Sequence, residues 1–426
     1  MSVSQKSKSL RLRKLLNSND LEFAMECHSG ISAVIAEEAG FKCLWASGLS
    51  VSAMTGCRDR NELDISEVSK VVEWMADHTS VPILVDGDTG GVDYNSARIM
   101  VNKLTKAGAA GVCIEDKLYP KHNSFLSNSD KDLAEPEQHA GKIKSMKDEN
   151  PDFVVVARLE GFIAKSKFTD IISRAKMYAD AGADAILVHS KIKNSSEIDR
   201  FMEYWNNDDN YSKVPVVIVP TKYYNTPTDH FREIGVSTVI WANHQMRASI
   251  RSMQDVCKSI YNNQSLVQVE SEIATVNEIF RLQRDDYLQE LEKKYLPSYK
   301  GYAVILSAVK SKVSDLPKAL DTVGNSTVLD KQIKTFSKDG ISNFIVVSGY
   351  ESNKFDLYNV TNVLNNKWSS STEVYSSLLG VSSAGIPLYI SYGDIVFKDS
   401  VLTKMSSCNS DIVIGVADKY KTLGQS

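Results

Sequence analysis

The sequence predicts a (β/α)8 barrel followed by a second, smaller α/β domain. Its 426 residues exceed one ordinary domain. Between residues 23 and 243, eight short apolar runs alternate with helical patterns. Polar residues recur at the carboxyl ends of those runs, where such a barrel carries its chemistry.

Composition narrows the classes. Apolar residues make up 42% and charged residues 24%, as in a folded globular protein rather than a disordered one. A net charge of −4 argues against nucleic acid or a basic membrane surface as partner, leaving a small molecule. Cys27, Cys43, Cys57, Cys113, Cys257 and Cys408 are scattered, with no C-x-x-C pair. That pattern suits reduced thiols in a cytoplasmic compartment, not a disulfide framework or a zinc site. No apolar run approaches the ~18 residues of a membrane span.

The opening MSVSQKSKSLRLRKLL is basic, serine-rich and free of acid, as in organelle transit peptides. It runs without a break toward the first strand, and is read as a surface helix leading into the fold. The strands follow in order: FAMEC (23–27), CLWAS (43–47), PILVDGD (82–88), GVCIED (111–116), FVVVARLE (153–160), AILVHS (185–190), VPVVIVP (214–220) and STVIWAN (237–243). Near-continuous apolar strands mean a parallel sheet covered on both faces. GISAVIAEEAG, YNSARIMVNKLTKAG and IISRAKMYADAG are helical patterns ending in Ala-Gly, a natural stop before the next strand. HQMRASIRSMQDVCKSIY would close the barrel, and VNEIFRLQRDDYLQELEKKY would protrude as an arm for subunit contact. The linker at 296–301 opens a second α/β segment beginning AVILSAV, dividing the chain into 1–297 and 298–426.

Ser47, Asp86, Asp88, Glu115, Arg158, His189 and Asn243 all stand at strand ends, so a closed barrel gathers them on one rim. Asp86 and Asp88 flank one glycine, Glu115 ends the neighbouring strand, and Asp59 lies on the loop after the second. Four carboxylates without histidine or cysteine form a hard oxygen site suited to Mg2+. The alternative is that these acids are solvated or pair with Arg58, Arg60 and Lys117. Lys121, Asn123 and Ser124 follow on one loop, offering a cation, an amide and a hydroxyl to an anionic phosphoryl group. Arg158 adds a guanidinium able to grip carboxylate or phosphate twice.

The stretch E-D-K-x-x-P-K-x-N-S at 115–124 resembles the signature of phosphoenolpyruvate mutases in the isocitrate lyase superfamily. The likeness extends from about residue 10 to 297, through W-A-S-G-L, R-D-x-N-E, D-G-D-T-G, V-A-R-L-E, P-T-K-Y-Y-x-T-P-T-D-H-F and I-W-A-N-H. It implies interconversion of phosphoenolpyruvate and 3-phosphonopyruvate, the C–P bond-forming step of phosphonate biosynthesis. It further implies that Asp86 ligates Mg2+, with Asp59, Asp88 and Glu115 acting largely through waters. Ser47, the amides of Gly48 and Leu49, and Arg158 would hold substrate, with Trp45 walling the pocket. Lys121, Asn123 and Ser124 would belong to a loop closing over the phosphoryl group, and His189 matches a rim position. A homodimer or homotetramer exchanging a terminal barrel helix is implied too.

Related activities separate on single residues. Isocitrate and methylisocitrate lyases carry a catalytic cysteine in a K-[KR]-C-G-H motif on this loop, where this chain has none. Phosphonopyruvate hydrolases differ around the loop asparagine, so Asn123 favours a mutase. Where the family often reads D-x-D-T-G-Y-G, this chain has Gly91 and Val92 in the last two places, implying a differently shaped loop. Hydrolysis of phosphonopyruvate, or another 2-oxo acid cleavage at the same Mg2+ site, is the rival enzyme reading. A non-catalytic scaffold or nucleotide-binding partner is the rival from another class.

Residues 302–426 resemble sugar-phosphate-type nucleotidyltransferases, with AVILSAVKSKVSDLPKAL as opening strand, phosphate loop and P-K-A-L. The family's loop glycines are missing: Ser307, Val309, Ser311 and Lys312 stand there. Lys318 matches its phosphate-facing lysine and Asp394 its metal-binding aspartate. A partial, Rossmann-like domain with little or no transferase activity is expected.

Overall fold

Alternation with period two builds the first unit. Eight parallel strands close into a barrel in chain order: β1 (Glu22–Cys27), β2 (Cys43–Ala46), β3 (Ile83–Asp86), β4 (Gly111–Glu115), β5 (Val154–Leu159), β6 (Ala185–Val188), β7 (Val216–Ile218) and β8 (Thr238–Trp241). One set of side chains, including Leu44, Val85, Val112, Val155 and Ile186, faces the helical layer. The alternate set, including Trp45, Leu84, Cys113, Val156, Leu187 and Ile240, fills the interior. The barrel is therefore packed below and open to chemistry only above its last apolar rung.

The computed structural model describes residues 5–121, 133–295, 301–384, 388–408 and 410–416. Helix α1 (Gln5–Leu16) precedes the barrel, and Leu12 and Leu16 join the interior cluster. Ser9 Oγ donates to the Ala110 carbonyl at 2.8 Å, just before β4. The basic segment read as a surface helix is thus a plug at the amino end, because its Leu pair continues the interior packing. Around the strands lie α2 (Gly30–Glu38), α3 (Gly48–Thr55), α4 (Ile65–His78), α5 (Tyr94–Lys106), α6 (Pro136–Glu149), α7 (Phe168–Asp180), α8 (Ser196–Asn206), α9 (Thr228–Glu233) and α10 (His244–Asn263). Asp64 and Asp93 cap α4 and α5 in reciprocal capping boxes.

The pattern read as one arm is two helices, α11 (Val276–Leu282) and α12 (Asp285–Tyr295). Arg284 between them takes a left-handed φ of 59°, which a continuous helix forbids. Contacts divide the chain at that residue into Met1–Arg284 and Asp285–Ser426.

The second unit contains a parallel four-stranded sheet ordered β13-β12-β9-β14, from β9 (Tyr302–Ser307), β12 (Asn343–Ser348), β13 (Thr361–Leu364) and β14 (Leu388–Tyr392). A two-stranded ribbon, β10 (Thr322–Val323) and β11 (Ser326–Thr327), precedes α13 (Val328–Lys338). Helices α14 (Glu373–Val381) and α15 (Asp399–Ser406) complete it. No helix among the described residues is long and apolar enough to cross a membrane.

Candidate active site

Counting two residues on from the interior side chains Leu84, Cys113, Val156 and Leu187 reaches Asp86, Glu115, Arg158 and His189. The same pleat that hides the apolar rung aims these groups into the barrel mouth. They line one cavity with Trp45, Ser47, Leu49, Asp59, Lys121, Val219, Thr221, Ala242 and Asn243. Gly48 and Asp88 border it, each bonded to a lining residue. Asn123 and Ser124 lie outside the described residues.

The turn after β3 shapes the acidic side. Gly87 separates the two aspartates, and a Cβ there would lie 2.4 Å from Val112 Cγ2. Gly91, where the family often has tyrosine, takes φ +84° and would bring a Cβ within 2.7 Å of Ser96 Cβ. Asp88 itself has φ 52°. Lys121 Nζ sits on Asp59 Oδ1 at 2.7 Å and also on Asp88 Oδ1. Its backbone N–H donates to Asn61 Oδ1 at 2.8 Å, and Asn61 Nδ2 donates to Asp88 Oδ2 at 2.6 Å. Lys121 is 3% exposed. Burial alone would lower its pKa, but Asp88, Asp86 and Asp59 raise it well above the usual lysine value. Burial pushes Asp88 up to about 6 against the pull of Lys121. Two of the four acids, Asp59 and Asp88, pair with Lys121; Arg58 pairs with Glu62 and Lys117 with Glu160.

Opposite the acids lies a charge cluster that sequence reasoning left incomplete. Glu160 is 0% exposed and accepts from Arg158 Nε at 2.6 Å. His189 Nδ1 lies 2.7 Å from the same carboxylate oxygen, and Lys117 Nζ 3.2 Å from the other. Although burial works against ionisation, Arg158 and His189 hold the Glu160 carboxyl well below the usual range. Arg158 Nη2 reaches Glu115 Oε2 at 3.3 Å. Burial raises Glu115 to about 7 against that attraction. Burial also lowers the His189 pKa, with Glu160 opposing. Beneath, Asp116 accepts from Tyr178 Oη at 3.0 Å and the Glu160 amide at 2.8 Å, locking the ends of β4 and β5 together.

Ser47 caps α3, its Oγ accepting from the Ser50 amide at 3.3 Å. The Gly48 amide, expected to face substrate, donates to Asp86 Oδ2 at 3.3 Å. Glu115 Oε1, Thr221 Oγ1 and Asn243 Oδ1 are buried without a hydrogen-bond partner among the described residues. All three residues line the cavity, an arrangement that calls for a ligand. Thr221 carried no expectation from sequence, although it too lies two residues beyond an interior position, Val219.

As they stand, no three His, Cys, Asp or Glu side chains among the described residues converge on one point, since Lys121 supplies the positive charge. The donors nevertheless suit a hard divalent ion: Asp59, Asp86, Asp88 and Glu115 offer only oxygen, and Glu115 Oε1 is unpartnered.

Residues 12–261 match the family model described as phosphoenolpyruvate phosphomutase. The chain belongs to that family. It is 50% identical over 291 residues to the phosphoenolpyruvate phosphomutase of Tetrahymena pyriformis, covering 68% of this chain and 95% of the relative. A solved phosphoenolpyruvate phosphomutase from Streptomyces platensis subsp. rosaceus superposes with TM-score 0.64 at 34% identity, over 68% of this chain and 99% of that one. A phosphonopyruvate hydrolase solved with oxalate and Mg2+ superposes with TM-score 0.63 at 32% identity, over 69% and 100%. The barrel unit is thus an enzyme of the phosphomutase family.

In the second unit, Lys318 Nζ and Asp394 Oδ1 face each other at 3.6 Å across the ends of β9 and β14. The loop between β9 and Lys318 is tied to a residue just beyond it: Ser311 Oγ and Ser314 Oγ donate to the Asp321 carboxylate, each at 2.5 Å.

Proposed function

We propose that the barrel interconverts phosphoenolpyruvate and 3-phosphonopyruvate. The carrying observation is one cavity that opposes three carboxylates, with Asp88 at its border, to Arg158 and His189 and leaves three buried polar atoms unpartnered among the described residues. Toward phosphoenolpyruvate, the C3–P bond breaks and its electron pair passes into the pyruvate enolate. The enolate oxygen then forms the new P–O bond. Asp86, with Asp88, Glu115 and Asp59, would hold Mg2+, which supplies positive charge to the oxygens of the substrate. Arg158, fixed by Glu160, grips the substrate carboxylate beside Ser47, and Trp45 walls the carbon skeleton. Lys121, Asn123 and Ser124 meet the transferring phosphoryl group, where positioning and charge do most of the work. Excluding water favours return of the group to the enolate over its loss as phosphate.

Phosphorus NMR of the full chain with phosphonopyruvate and Mg2+ tests this. Conversion to phosphoenolpyruvate, abolished by chelator, is expected. Inorganic phosphate in its place would make the chain a hydrolase, and an unchanged spectrum would leave a non-catalytic role. The family resemblance also supports a homodimer or homotetramer. Helix α10 buries only Met246 and exposes Met253 and Tyr261 toward its far end, so sedimentation should show more than a monomer.

The proposal for the second unit is a nucleotidyltransferase-like domain with little or no transferase activity. Asp321 puts a carboxylate against the serines of the expected phosphate loop, which opposes a triphosphate there.

A further inference from the structure

The cavity has a second side. Lys121 sits over its acids, but Leu49, Thr221 and Asn243 also line a wider cleft of about 710 Å³ at the mouths of β7 and β8. Lys193, Lys222 and Arg247 line that cleft, and among the described residues no aspartate or glutamate does. The three cations come from three successive places: the segment after β6, the segment after β7, and the first turn of α10 after β8. Lys193 and Arg247 are exposed, and neither side chain has a carboxylate within ion-pair distance among the described residues. Like charges such as Lys193 and Arg247, gathered at one cleft, raise the local potential for anions. An independent observation marks the seam between the two spaces. Asn243 is 7% exposed with an unpartnered Oδ1, and Thr221 Oγ1 beside it is buried and unpartnered.

We propose that this cleft is an anion antechamber, through which a substrate bearing both a carboxylate and a phosphoryl group passes Lys193 and Arg247 and then Thr221 and Asn243. The inference deepens the proposed function and rests on its substrate class. The inner cavity as it stands holds about 60 Å³, room for about four waters. A three-carbon phosphonate therefore needs a place to wait while Lys121 exchanges its partners. The antechamber, which Lys121 does not line, supplies one, and Thr221 and Asn243 are shared with the cavity that holds Arg158.

The test is kcat/KM for phosphonopyruvate against ionic strength, for the full chain with Mg2+. The double variant K193Q/R247Q should lose about tenfold at low salt, with kcat within twofold of wild type, and converge with wild type near 1 M salt. K14Q/K106Q removes the same charge at the opposite end of the barrel and should follow the wild-type curve. If the full chain does not turn phosphonopyruvate over, the proposed function fails and the antechamber is read separately. Stopped-flow tryptophan fluorescence then follows phosphonopyruvate association, with Trp45 in the cavity wall. Association slowed about tenfold in K193Q/R247Q alone would sustain the inference. A salt profile or association rate equal to wild type, or no association signal at all, would overturn it.

Discussion

The two units solve the same structural problem with opposite treatment of charge. Both set parallel strands under helices and place polar residues at the carboxyl ends of their strands. In the barrel most of those residues are buried: Ser47, Glu115, His189 and Asn243 fall below one-tenth exposure, as do Lys117, Lys121 and Glu160 nearby, while the side chains of Arg158 and Asp88 reach 13% and 24%. In the second unit the matching pair is wetter, with side-chain exposures of 13% for Lys318 and 56% for Asp394. Burying a charge is expensive unless a partner meets it, so a dense buried cluster is retained only where something exploits it. A half-solvated pair costs little to keep and says little about use. On the functions proposed above, burial rather than residue identity separates the two sites.

The largest effect expected from that contrast is on turnover. Asp86→Ala removes the acid that receives the Gly48 amide and lies at the centre of the proposed Mg2+ site. A loss of roughly 10³-fold in kcat is expected, as for removal of a key charge-stabilising group. Phosphorus NMR measures it, with circular dichroism confirming the fold. A loss below tenfold would mean that the acidic rim is structural, and the contrast between units would collapse.

Next in size is Glu160→Gln. Two basic groups, Arg158 and Lys117, would lose their shared carboxylate in a fully buried place. Breaking such a cluster from one side destabilises by roughly 3 kcal/mol. Because Glu160 also orients Arg158, kcat/KM should fall about a hundredfold, mostly through KM. Urea melts and steady-state kinetics read the two effects. Unchanged KM in a folded variant would remove the positioning role.

A smaller effect appears only with acid. His139 on α6 is 1% exposed and meets Tyr178 edge-on at 4.6 Å. Burial, with Lys142 and Arg174 nearby, lowers its pKa to about 3. The unfolded chain therefore takes up a proton near pH 6.5 that the folded chain refuses until about pH 3. The contribution to stability is complete above pH 6.5 and is lost as pH falls, by about 1.4 kcal/mol per unit. In His139→Gln that component of the acid slope should vanish, so wild type minus variant shrinks between pH 7 and 5. Parallel melts at both pH values would refute the buried neutral imidazole.

The sequence exposes the barrel readily because each strand is a continuous apolar run, and a period of two carries past its end to Asp86, Glu115, Arg158 and His189. The same parity aims Glu160 and Thr221 inward, but Glu160 reads as the tail of a strand and Thr221 falls just past the end of an apolar run. What periodicity could not contain is pairing across the mouth. Nothing local joins Lys121 to Asp59, some sixty residues earlier, and the closed barrel alone brings them together. Nor does helical period mark Arg284, whose left-handed backbone splits a pattern that reads as one helix. The Leu12 and Leu16 plug was hidden by the charged residues around it.

The smallest expected effect sharpens the comparison from the quiet side. Lys318→Ala removes the cation of a pair that is 3.6 Å apart and open to water through Asp394. Exposed pairs contribute about 0–1 kcal/mol, so the melting curve should move by no more than about 0.5 kcal/mol. Turnover of phosphonopyruvate should not change, since Lys318 and the mutase site belong to different units. The variant also probes the phosphate-facing role that the family resemblance implies. If the second unit bound a nucleoside triphosphate through this lysine, calorimetry with CTP would show binding in wild type that Lys318→Ala loses. With Asp321 held against Ser311 and Ser314, the expected result is no heat from either protein. Binding lost with the lysine would instead show that a half-wet site can work, and that burial is a poorer guide to function than the barrel suggests.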